Sequence, residues 1–142
     1  MPEMTLLGWF HTIFGVGALL SGFYTLFTYK IISIINFLEN DIISELKGQK
    51  RFHAHVAKNS LNIVLRQLKL EKENNSNEKK RLREILKIEG NLKDLNQILC
   101  EKINNEEIDI NNDELIDHLY KTTMEKLSID QPNYSGYLAE KE

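Results

Sequence analysis

From Met4 to Tyr29 the chain carries no Asp, Glu, Lys or Arg, and a stretch that long exceeds the roughly 20 apolar residues needed to cross a hydrocarbon core. Beyond Tyr29 the sequence turns charged and Asn-rich, and apolar residues recur every three or four positions, the spacing of helix faces. Ile31, Ile34, Ile35, Leu38, Ile42 and Leu46 form one such stripe, with Gly48 as its stop. From Lys50 to Leu70 two adjoining lines, Phe52, Val56, Ile63 and Leu70 beside Ala57, Leu61, Val64 and Leu68, predict a central helix with a wide buried face. Glu71 to Lys80 holds no apolar residue and reads as an exposed connection, where proteolysis is expected first.

A short helix through Leu82, Ile85 and Leu86 is predicted to end near Gly90, and another follows through Leu92, Leu95, Leu99 and Ile103. Asn111, with Glu114 three residues on, predicts the cap of a last helix through Leu115, Ile116, Leu119, Met124 and Leu127, which Pro132 stops. Ile108 and Ile110 are the single place where a brief extended contact is expected. The pattern predicts an all-α protein: a single amino-terminal transmembrane helix at 1–30, a small helical bundle at 31–137 and a tail at 138–142.

A cleaved signal peptide would also be hydrophobic, but it would open on basic residues and close on a small-x-small site. This chain opens Met-Pro-Glu and stays apolar past Phe27, which favours a retained span. Lys30, Lys47, Lys50 and Arg51 lie after the span and only Glu3 before it, so the following domain is expected on the cytoplasmic side. Trp9 and Tyr29 stand near its two ends, where such rings favour the headgroup layer. Gly17 with Ser21, and Ala18 with Gly22, are small pairs of the kind that let a second helix approach, which leaves a homodimer open. His11, near one interface, requires no special role.

Charge and candidate chemistry change this picture little. The formal net charge of −3 over 142 residues gives no basic field for a nucleic-acid backbone, so nucleic acid is not an expected partner. Cys100 is alone, which excludes an intramolecular disulfide, and on an apolar helix face it is expected to pack. His53 and His55, two apart on a helix, point about 200 degrees away from each other and cannot share an ion. His118 with Glu114 or Asp117 lacks a nucleophile or oxyanion donor beside it and reads as part of a solvated helix face. No catalytic, cofactor-binding or metal-binding residue is expected, and whether any reaction is catalysed is left open. One constellation stands out: Arg51, His55, Asn59, Asn62 and Arg66 align on one helix face, where cationic and amide groups suit a carboxylate, a phosphate or a partner's acidic edge.

The segments KGQKRFHAHVAKNSLNIVLRQLKL at 47–70 and KLSIDQPNYS at 126–135, with Phe37-Leu38, Leu95-Asn96 and Leu99-Cys100 in order between and before them, resemble the bacterial family catalogued as domain of unknown function 6285, over about residues 31–137. His55 and Gln67 depart from that pattern, which tends to have Arg and Glu there, and the hydrophobic front resembles an added membrane helix. The resemblance implies an accessory or interaction module that docks onto a cytoplasmic enzyme similar to an aminoglycoside phosphotransferase or an acyl-CoA dehydrogenase. The alternative is a ligand-binding or enzyme subunit that holds an anionic group, such as an acyl-CoA phosphate, on the Arg51 to Arg66 face. The closing Tyr134 and Tyr137 are expected to cover apolar surface while their hydroxyls stay wet.

Overall fold

The computed structural model describes residues 6–141, with side chains from Trp9 onward. Glu3, and Met4 and Thr5 at the start of the predicted span, lie outside the described residues, as do the side chains of Leu6 and Leu7 and, at the other end, Glu142. Among the described residues every regular element is helical: α1 (Leu6–Phe37), a π-helical turn (Leu38–Ile42), α2 (Gly48–Leu86), α3 (Leu92–Asn104), α4 (Asp113–Asp130) and the short α5 (Ser135–Ala139). They form two compact units that divide between Leu65 and Arg66, inside α2.

In the first unit the predicted span and the start of the stripe after it, Ile31, Ile34 and Ile35, are one helix to Phe37, while Leu38 and Ile42 lie in the π-helical turn and Leu46 in the connection to α2. A wider turn closes α1, with the Ile43 amide donating five residues back to the Leu38 carbonyl at 2.9 Å. Gly48, predicted as a helix stop, instead opens α2 with φ +56, a left-handed value that suits a residue without Cβ. Ile31, Ile35, Ile43 and Ala54 are buried, and Lys58 Nζ meets Glu39 Oε1 at 2.9 Å, which sets the first half of α2 beside the end of α1. The face this buries on α2 differs from the predicted one. Ala54 and Lys58 line the inner side, while Phe52 stands 63% exposed and Val56 47%.

In the second unit Leu82, Leu86, Leu95, Leu99 and Leu115 form the core, with Ile85, Leu92, Ile98, Ile103 and Ile108 packed around it. Each leucine so buried contributes about 1.5–3 kcal/mol relative to leaving it in water. The expected connection at Glu71 to Lys80 is the main correction: α2 runs through it without a break. It contains neither Gly nor Pro, and its Glu and Lys residues are good helix formers. Its Asn74 and Glu78 also find partners, since Asn74 Nδ2 donates to the Glu125 carbonyl at 3.3 Å and Glu78 Oε1 accepts from Asn96 Nδ2 at 2.7 Å. The helix predicted through Leu82 and Leu86 is therefore the end of α2, which stops at Leu86 with Lys87 at φ +57.

The later elements follow the expected order with local shifts. Cys100 is exposed, because it lies to one side of the Leu92, Leu95 and Leu99 stripe. Helix α3 ends in a Schellman motif, the Glu107 amide donating to the Lys102 carbonyl at 2.9 Å and Glu106 to Ile103 at 3.1 Å, with Glu106 in the left-handed region at φ +59. Ile108 tucks beside the core out of that turn, so the expected extended contact with Ile110 does not form, and Ile110 stays 69% exposed. The cap of α4 is Asn112, not Asn111: its side chain accepts from the Leu115 amide at 3.0 Å, while Asn111 bonds to Asp109 Oδ1. After Pro132 the chain turns into α5, which buries Tyr137 and leaves Tyr134 exposed.

Candidate functional site

The five aligned residues on α2 separate into two groups. Arg51, His55 and Asn59 are exposed, and none of them makes a side-chain hydrogen bond or ion pair among the described residues. Asn62 and Arg66 are half-buried and engaged: Asn62 Nδ2 donates to the Lys58 carbonyl at 3.1 Å, and Arg66, in the second unit, donates through Nε to the Ile129 carbonyl at 2.5 Å. The Arg66 bond satisfies a carbonyl in the last turn of α4, where a cation also complements the helix dipole. Helical spacing places the exposed Phe52 and Val56 directly beside Arg51, His55 and Asn59. The His53 ring meets Phe52 edge-on with centroids 5.7 Å apart. Between Lys47 and Leu70 there is no Asp or Glu. The exposed side of this part of α2 is thus cationic and apolar together.

A second constellation lies in the other unit and was not read from the sequence. Arg81 clamps α2 to α4: Nη1 donates to Glu125 Oε1 at 3.0 Å, and Nη2 donates to Glu125 Oε2 at 2.6 Å and to Thr122 Oγ1 at 3.1 Å. The pair is largely screened from solvent, with side chains 14% and 21% exposed. His118 adjoins this clamp and, against expectation, is buried at 2% exposure. It stands three residues after Leu115 and four before Thr122, so it shares the inward face, while Ile116 and Leu119 turn outward at 50% exposure each. Its Nδ1 and Arg81 Nε are buried without a hydrogen-bond partner among the described residues.

Burial, the largest cause, and the nearby Arg81 guanidinium hold the His118 pKa below its ordinary 6.5, although the Glu78, Glu125 and Asp117 carboxylates pull the other way. A groove of about 250 Å³ runs beside the clamp, lined by Gln67, Glu71, Asn75, Glu78, Lys126 and Asp130 among others. Nothing along α2 or α4 alone reveals the clamp, because its partners are 41 and 44 residues apart. The signal that does exist is periodic, with polar His118, Thr122 and Glu125 stepping by three and four from Leu115.

Surface pairs complete the electrostatics. Arg83 meets Glu89 beyond the end of α2, Lys121 pairs with Asp117 at 2.8 Å, and Lys102 with Glu107 at 2.6 Å. The Lys102 bond and charge hold the Glu107 carboxyl below its usual value. Tyr120 donates to Glu140 Oε2 at 2.6 Å, a bond that raises its pKa above the ordinary 10.0. Among the described residues no three His, Cys, Asp or Glu side chains gather as a metal site.

The model of the domain of unknown function DUF6285 matches residues 44–134, more than half of the chain. The chain belongs to the DUF6285 family. No curated protein and no solved structure matches it. The matched stretch holds the cationic face of α2, the Arg81 clamp and all of α3 and α4, while α1 lies wholly outside the DUF6285 match. Helix α1 is long and apolar enough to cross a membrane by length and composition. The family model defines no activity.

Proposed function

We propose that this protein is a membrane-tethered docking module: α1 is a single span, and the DUF6285 domain it carries binds a protein partner through the exposed face of α2. The observation that carries the tether is the surface of α1, where Phe14 is 74% exposed, Phe23 70% and Leu19 and Leu20 65% each, without an Asp, Glu, Lys or Arg between Trp9 and Tyr29. Each such side chain left in water forgoes about 1.5–3 kcal/mol, which a hydrocarbon environment restores. The excess of Lys and Arg just after the span supports placing the domain in the cytoplasm. The family resemblance supports a partner similar to an aminoglycoside phosphotransferase or an acyl-CoA dehydrogenase.

The tether is tested by fractionating cells that express the full chain. The expected result is a membrane pellet that resists alkaline carbonate and yields to detergent, with Leu19→Glu together with Leu20→Glu moving the protein into the carbonate extract. A full chain that stays in the supernatant, monomeric and free of detergent, would refute it.

A second reading has its own observation, the three donors Arg51, His55 and Asn59 standing one turn apart with no side-chain hydrogen bond or ion pair among the described residues. On that reading the face holds an anionic ligand group such as a phosphate. Thermal stabilisation of the full chain by added phosphate, lost in Arg51→Ala, would support it, and unchanged melting would remove it.

A further inference from the structure

We infer that the exposed face of α2 receives an acidic amphipathic helix of a protein partner, its apolar side on Phe52 and Val56 and its carboxylates on the Arg51 flank. The inference rests on the docking reading above and specifies the chemistry of the partner. The first support is charge complementarity. In the first unit Lys47, Lys50, Arg51 and Lys58 fall in a stretch, 47–65, without one acidic residue, in a chain whose formal net charge is −3. Only Lys58 among them has a carboxylate partner among the described residues, Glu39 at 2.9 Å. Such a field attracts acidic partners and repels basic ones. The second support is the pair of anchors: Phe52 and Val56 stand four residues apart on one line, 63% and 47% exposed, an apolar strip against which the apolar side of a partner helix can lie.

An anionic lipid surface has matching charge, and the test below separates it from a protein partner. A second copy of this chain meeting the same face symmetrically would bring Arg51 and its neighbouring cations against their own copies, which is repulsive.

The test uses the full chain in nanodiscs of uncharged lipid and two synthetic helical peptides that share one pattern of leucines, one flanked by Glu and the other by Lys. The Glu peptide is expected to bind, about tenfold more weakly to Phe52→Ala and to Arg51→Glu, both of which lie on exposed positions and should leave the helical spectrum unchanged. Its affinity should also fall about tenfold between low and high salt. If the Lys peptide binds as well and Phe52→Ala weakens both, the docking face stands and its acidic preference is overturned. If neither peptide binds, or neither substitution matters, the docking reading falls as well. Protection of residues 48–60 from hydrogen exchange on moving to anionic nanodiscs would overturn the inference in favour of lipid. Self-association abolished by Phe52→Ala would overturn it in favour of a second copy.

Discussion

At the scale of single residues, the bidentate contact of Arg81 with Glu125 is the interaction whose loss should cost most. Both side chains are mostly withdrawn from water, and deleting one leaves the other charge without its compensation. Arg81→Ala is expected to destabilise the second unit by about 3 kcal/mol, measured by hydrogen exchange of the α2 and α4 amides in detergent, and a loss below about 0.5 kcal/mol would contradict the clamp. His118 gives the same region a pH dependence. Its folded pKa lies below 6.5, so the unfolded chain takes up the proton first; its contribution is complete above about pH 6.5 and lost as pH falls from there through the lowered folded value. His118→Leu is expected to flatten the decline in melting temperature between pH 7 and pH 5, and an unchanged slope would show that the histidine is not its source.

These residues also mark the limit of what the sequence discloses. That Arg51, His55 and Asn59 share one side of α2 follows from their four-residue spacing, but which side is covered does not, as the exposed Phe52 and Val56 show, and Arg66 and Arg81 acquire their contacts from carbonyls and carboxylates on α4 that no local pattern indicates.

At the scale of elements, the stretch Glu71 to Lys80 shows why polarity alone does not make a loop. Gly, Pro or a side chain that competes for the backbone favours a break, and here the Asn74 side chain bonds across to α4 instead of to its own backbone. Ser76→Pro, at an exposed position within this helix, is expected to cost about 3 kcal/mol and to create a protease site where the unaltered protein has none. Equal digestion of both proteins at 71–80 would mean the helix is interrupted there already. The one-residue shift of the α4 cap is tested by comparison: Asn112→Ala should cost about 1 kcal/mol and Asn111→Ala distinctly less. Helix α3 ends with a Glu at a left-handed position, so Glu106→Gly should raise stability by about 0.5 kcal/mol, and a loss would indicate that the Glu106 side chain matters in ways its φ does not show. The order α3 then α4 was readable from apolar periodicity and Pro132. The inward rotation of α4 was not, since Ile116 and Leu119 are as apolar as the leucine that is buried beside them.

At the scale of the whole molecule, two facts stand side by side: a family domain of helices at 44–134, and before it a helix whose apolar side chains from Trp9 to Phe27 stand exposed. The uncharged run from Met4 to Tyr29 made the apolar helix legible, because its length and composition are those a span requires. The central claim is that α1 spans the membrane and leaves the domain in the cytoplasm. Cys100, the single cysteine of the chain and exposed on α3, is a native reporter of it. Spheroplasts expressing the full chain, treated with a membrane-impermeant maleimide before or after permeabilisation, should label Cys100 only after permeabilisation, with the protein recovered in the membrane fraction. Labelling in intact spheroplasts, or recovery of the labelled protein from the soluble fraction, would contradict the account.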